Sequence, residues 1–167
     1  RDYCSKGYNY IQHTWGGRDE EVLKRVAADY PDIDFSATCS WVPLANNIAW
    51  NCVQSHEAAF LAGILAGGMT KTGKTGILTA FEIPCVGRAY RGFQMGVKHY
   101  NEYHGAEITA PVVISGIFED IQKNYLAGSA MVDQGIDVIY ADGGGPDLAV
   151  FQVAKERNII AIGHSLD

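Results

Sequence analysis

The sequence predicts an α/β protein built on parallel strands, and three observations carry that reading. Short apolar runs alternate with amphipathic stretches through the second half of the chain. The apolar runs are near-continuous, as expected of strands covered on both faces. Cap and turn residues separate the segments, so most elements have a marked start or stop.

Taken in order, residues 8–15 (YNYIQHTW) are β-rich and end at Gly16-Gly17. A helix follows, with Asp19, Glu20 and Glu21 in its first turn, where the helix dipole favours negative charge. Val22, Val26 and Tyr30 lie four apart and predict its buried face. Pro31-Asp32 stops it. Residues 33–41 read as a buried strand and residues 47–53 as an alternating one. Ser55, with Glu57 behind it, is placed as the cap of a helix over 56–69. Gly63 and Gly67 lie inside that helix, where each costs about 1 kcal/mol against Ala. Such a cost is intelligible where another element packs very close.

The rhythm then becomes regular. Residues 76–80 form a strand, and Pro84 opens a helix whose Val86, Tyr90, Phe93 and Val97 share a face. Residues 112–116 form the next strand. Asp120 caps a helix carrying Ile121, Tyr125 and Val132. Residues 136–142 form a strand, Gly145-Pro146 starts a helix with Leu148 and Phe151, and residues 158–163 form the last strand.

Bulk properties narrow the function. With 167 residues the chain makes one ordinary domain or two small lobes, and 47% hydrophobic residues supply a core. A net charge of −6 and no run of Lys or Arg argue against a nucleic-acid or anionic-membrane surface. The longest uncharged apolar stretch, Ala58–Met69, is too short to span a bilayer. The chain opens on Arg1 without a visible leader and stops just past an apolar run, so both ends read as cut. Its four cysteines, Cys4, Cys39, Cys52 and Cys85, contain no CxxC pair, which weakens a metal reading. Cys39 and Cys52 meet if their strands are neighbours; otherwise all are free thiols.

One motif tempts. Gly68 to Thr75 matches the phosphate-loop pattern G-x-x-x-x-G-K-[ST]. A phosphate loop needs a strand before it and a helix after it, so that helix N–H groups hold the phosphates. Here the order is reversed, and the string is expected to be a connector. His56-Glu57 begins H-E-x-x-H, but Phe60 takes the second ligand position. Gly163-His164-Ser165-Leu166-Asp167 begins like a nucleophile elbow and ends in Asp rather than Gly. No acid–base pair stands out. The expectation is a protein that is not an enzyme, with no catalytic residues, no metal and no cofactor.

In parallel sheets ligands sit beyond the carboxyl ends of the strands. Those ends carry aromatic and polar groups together: Trp15, Trp41, Phe118, Asp142 before three glycines, and Ser165 with Asp167. Glycines let a ligand approach the backbone near a helix N-terminus. Aromatic faces beside carboxylates and hydroxyls suit a flat ring bearing N–H or O–H donors.

Four segments also resemble a known family. They are EAAFLAGILAGGMTKTGKTGILTAFEIPCVGRAYRGFQMGVKHYN, SGIFED, QGIDVIYADGGGPDLAVFQVAKER and AIGHSLD. The chain resembles the basic membrane protein family of ABC-transporter solute-binding lipoproteins, the purine nucleoside receptor family, over roughly residues 8–167. The resemblance implies a type I periplasmic-binding fold: two Rossmann-like lobes with parallel sheets, here incomplete. It implies 1–72 as part of a first lobe and 73–167 as most of a second, with ligand in the cleft. It further implies a small-molecule ligand of purine nucleoside or nucleobase type, ABC permease subunits as partners, and a periplasmic or extracellular, lipid-anchored location. Phe118 matches the family's stacking aromatic, Glu82 its acidic residue before Ile-Pro, and Gly144 and Gly145 its Gly-Gly turn, while Trp15 follows a first-lobe strand that often faces ligand. The chain departs from the pattern at Thr38 to Trp41 and at His164 to Asp167, where members carry the carboxylates that hold ribose. Those departures widen the implied ligand to a nucleobase or another small ring compound. A ligand-sensing domain of a regulatory protein is the alternative reading, and a P-loop hydrolase the third.

Overall fold

Strand-forming and helix-forming segments alternate along the computed structural model, which describes residues 1–14, 16–39 and 45–164. The elements are α1 (Asp2–Ser5), β1 (Tyr10–His13), α2 (Gly16–Asp29), β2 (Asp34–Thr38), β3 (Ile48–Asn51), α3 (Ser55–Met69), β4 (Thr75–Thr79), α4 (Pro84–His104), β5 (Val112–Ile114), α5 (Ile121–Asp133), β6 (Val138–Asp142), α6 (Gly144–Arg157) and β7 (Ile160–Ile162). They divide into two units, Arg1–Gln54 with Ile83–Cys85, and Ser55–Glu82 with Val86–Asp167.

In the first unit β1, β2 and β3 form a parallel sheet with β2 at its centre. Its core is Leu23, Ala27, Phe35, Ala37 and Ile48, joined by Cys4 from α1. The buried face of α2 therefore differs from the predicted one. Val22 is exposed, and Leu23 and Ala27 point inward with Val26 and Tyr30 packed beside them. The predicted alternation of β3 also fails. Ile48 is buried, but Ala49, Trp50 and Asn51 are exposed, and among the described residues β3 pairs with β2 alone. Asn47 closes the end of α2: its side-chain amide donates to the carbonyls of Ala27, Tyr30 and Ile33 at 3.0–3.1 Å. The amide thereby ties the last turn of α2 to the backbone that follows it, alongside the Tyr30 and Ile33 N–H groups that donate to the Ala27 and Tyr30 carbonyls.

In the second unit β5, β4, β6 and β7 lie in that order in a parallel sheet. All five residues of β4 and of β6 are buried, as their unbroken apolar runs predict. Val86, Tyr90, Phe93 and Val97 of α4 are buried together, and Phe93 stacks on Tyr140 of β6 at 5.0 Å. The interior glycines of α3 have the predicted explanation. A Cβ at Gly63 would collide with the Phe93 carbonyl oxygen, and one at Gly96 with that of Phe60. The two helix backbones thus touch, which places α3 with the second unit; the expected passage at 72–73 lies inside that unit.

On α5 the buried stripe is Asn124, Gly128 and Met131; of the apolar residues expected on this helix, Val132 packs against the core and Ile121 is exposed. At Gly128 this stripe faces Val153 and Val150 of α6 and Leu78 of β4. On α6, Leu148 is exposed and the buried set is Pro146, Asp147, Ala149, Val150 and Val153. Asp120 caps α5 as predicted, its carboxylate accepting the Lys123 N–H at 2.9 Å.

The phosphate-loop string runs from the end of α3 into β4, the reverse of the order such a loop needs. Its donors are already engaged. The Lys71 and Thr72 N–H groups donate to Asp137 Oδ2 at 2.7 and 3.1 Å, and the Thr70 hydroxyl donates to Oδ1. Lys74 Nζ donates to the Gln134 carbonyl at 3.0 Å. The connector does bind an anion, and the anion is the protein's own carboxylate.

Candidate ligand-binding site

Three parallel strands of the second unit, β5, β4 and β6, bring their carboxyl ends to one edge. The chain leaves β4 through Phe81 and Glu82, leaves β5 through Phe118, and leaves β6 at Asp142 directly into α6. Phe81 and Phe118 meet edge to face at 5.2 Å, the arrangement that ring quadrupoles favour. Phe118 is half-buried and leans on the glycine turn. A Cβ on Gly143 would lie 2.6 Å from its ring, and one on Gly145 would collide with its carbonyl oxygen. Gly143 also holds φ +102°, a region that L side chains rarely adopt. Two of the three glycines are therefore required by Phe118 itself. Gly144 is different: it is exposed and faces open space, so a ligand can approach the backbone there.

Asp142 is only 3% exposed. Its Oδ1 lies 3.2 Å from His164 Nδ1, and its Oδ2 is buried without a hydrogen-bond partner among the described residues. Asp147, fully buried in the first turn of α6, accepts the His164 backbone N–H at 3.2 Å. Burial pushes the Asp142 carboxyl up to about 6, with His164 pulling it down and Asp147 pushing it further up. Burial, reinforced by Asp142 and Asp147, also drives the Tyr140 hydroxyl upward.

The sign of the pH effect follows. The folded Asp142 titrates above its ordinary 3.8, so its contribution to stability is fully present below that value and lost as pH rises through about 6. A carboxyl-carbon NMR titration is expected to place the Asp142 midpoint near 6, and melts should show Asp142→Asn gaining on the native protein over that rise. A midpoint at the ordinary value would overturn this.

Glu82 is exposed and anchored from α4, accepting the Tyr90 hydroxyl at 2.8 Å with Arg91 at 3.9 Å. The structure therefore gathers Phe118, Asp142, Gly144 and Gly145 around one turn, with Glu82 adjoining Phe81. Trp15, Trp41, Ser165 and Asp167 lie outside the described residues. Sequence reasoning missed Asp147 and Phe81 and read His164 only as a polar strand end. The Asp147 position in the first turn of a helix was the available signal. Among the described residues no group of three or more His, Cys, Asp or Glu side chains is arranged to hold a metal ion, and no helix is long and apolar enough to cross a membrane. A groove of about 340 Å³ between α3 and α4, lined by His56, Glu57, Phe60, Leu61, Gly92 and Met95, is almost wholly apolar and includes none of the predicted site residues.

The parallel α/β units belong to a periplasmic-binding fold, and comparison places the chain in the class of ABC-transporter solute-binding proteins. The chain overlays the solute-binding protein of an Aeropyrum pernix ABC transporter with a TM-score of 0.84 at 27% identity, covering 97% of this chain and 47% of that one. The family model described as ABC transporter substrate-binding protein PnrA-like matches residues 2–167, and the chain belongs to that family, Bmp. Among its relatives, a purine-binding protein of Brucella abortus is 28% identical over 145 residues, 86% of this chain and 39% of that protein. The transcriptional activator protein Med of Bacillus subtilis is 27% identical over 166 residues, 99% of this chain and 50% of that protein. The chain thus spans about half the length, or less, of the proteins it matches. Substrate-binding proteins of ABC transporters work outside the cytoplasmic membrane.

Proposed function

We propose that this chain is the ligand-binding part of an ABC importer's receptor, and that it holds a purine nucleoside, a nucleobase or a similar small ring compound. The observation that carries the reading is the half-buried Phe118 ring, braced by Phe81 beside the exposed backbone of Gly144. A flat ring stacks on such a face while backbone and carboxyl groups around it select polar substituents. The family match and the purine-binding relative support this ligand class. The protein binds and hands over its ligand to permease subunits without chemical turnover, anchored by lipid to the outer face of the membrane.

Calorimetry of the full-length protein against a panel of nucleosides, bases and other small heterocycles tests the proposal. Saturable heat with at least one ring compound is expected, and silence across the panel would sink it. Phe118→Ala is expected to weaken binding by about 1 kcal/mol or more. Unchanged affinity with an unchanged fold would assign the ring to packing alone.

The match to a transcriptional activator, which covers nearly all of this chain, favours a second reading as a ligand sensor. Loss of ligand uptake in a deletion strain supports the receptor. Altered transcription with normal uptake supports the sensor.

A further inference from the structure

Three of the four cysteines, scattered in sequence, come together in the first unit. The parallel register pairs Thr38 with Asn51, and the Cys39 N–H continues the ladder by donating to the Asn51 carbonyl at 3.1 Å. Cys39 and Cys52 therefore follow each other's strand ends. Neighbouring strands run about 4.8 Å apart, inside the Cα separation of about 4.4–6.8 Å that a disulfide accepts. Cys39 also holds φ +64°, rare for a residue with a side chain. The Cys39 thiol lies close enough to those of Cys85 and Cys52 for both to raise its titration. Cys85 is buried, whereas Cys39 and Cys52 are both partly exposed.

We propose that Cys39 and Cys52 form a redox dithiol that closes to a disulfide across the carboxyl ends of β2 and β3. The oxidant is a low-molecular-weight disulfide. Cys52 starts the exchange, since it is reachable and burial together with the neighbouring thiols pushes Cys39 up to about 12, keeping it neutral. The Cys52 thiolate attacks one sulfur of the small disulfide and releases one small thiolate. Cys39 then loses its proton to solvent and attacks the Cys52 sulfur, releasing the second. Two protein thiols lose two electrons and two protons, and the small disulfide becomes two thiols. Proteins of this class work where disulfides persist. The bond would brace the strand ends of the first unit.

The test needs no ligand, so it stands or falls separately from the purine proposal. The full-length protein is incubated with glutathione disulfide, alkylated and digested without reduction. The expected result is a peptide linked through Cys39 and Cys52, abolished by reductant, with loss of alkylation at those two positions only. Cys52→Ser is expected to prevent the link while a native circular dichroism spectrum shows the fold intact. Full alkylation of all four thiols after oxidation, or a Cys39–Cys85 link as the product, would overturn the proposal.

Discussion

Gly96→Leu is expected to destabilise the second unit by about 3 kcal/mol or more, the largest single effect foreseen in this protein. At Gly96 a Cβ meets the Phe60 carbonyl oxygen and lies 3.0 Å from the Gly63 Cα; at Gly63 it meets the Phe93 carbonyl oxygen. Each obstacle is backbone of the opposite helix, so no side-chain rotation relieves it. The helices must separate or bend, and either movement disturbs Phe93 where it stacks on Tyr140. Gly144→Ala is the control, because its Cβ enters open space. Urea unfolding checks the pair: a large fall in midpoint for Gly96→Leu and little change for Gly144→Ala. Equal midpoints for Gly96→Leu and the native protein would mean that α3 and α4 do not touch.

Asp137→Ala is expected to lower stability by about 1–3 kcal/mol, since it removes the acceptor of three hydrogen bonds that hold the connector to the start of β6. Burial by itself would raise the Asp137 carboxyl, but the bonds from Thr70, Lys71 and Thr72 outweigh it and hold it below the ordinary 3.8. A lowered folded value means that its contribution is present above 3.8 and lost as pH falls through the folded value. Thermal melts of native and variant protein should therefore differ at neutral pH and converge in acid. A constant difference at all pH values would show that the carboxylate charge plays no part. Asp142 behaves oppositely, losing its contribution as pH rises, because burial dominates there and hydrogen bonds dominate at Asp137.

Much of the fold was legible. The helix beginning at Pro84, with its buried Val86, Tyr90, Phe93 and Val97, is a local pattern, and the periodicity places it correctly. So are the apolar runs of β4 and β6 and the Asp120 cap. The errors share a cause. Ile121 and Val22 are apolar, but the side that faces the core is chosen by what the helix packs against. On α5 the core side carries Asn124, Gly128 and Met131, because that side faces α6 and β4.

Of the candidate site, the grouping of Phe118, Asp142, Gly144 and Gly145 was legible, because alternating elements and turn glycines are local signals and ligands gather at strand ends. Its electrostatics were not. Asp142 and His164 are 22 residues apart in a sequence whose spacing says nothing of their 3.2 Å contact.

The sequence alone determined that the chain is a parallel α/β protein, that Gly68 to Thr75 is a connector, and that Phe118 and Asp142 follow or end strands of the second unit. These follow from periodicity, cap chemistry and element order, all properties of short segments. Only the tertiary structure decided what the connector and the glycines are for. Asp137 comes from more than 60 residues away to occupy the connector's N–H groups. Phe118 comes from the loop after β5 to require Gly143 and Gly145, which leaves Gly144 as the open one. Partners of that kind are fixed by the folding of the sheet and not by neighbouring residues, so no local pattern contains them.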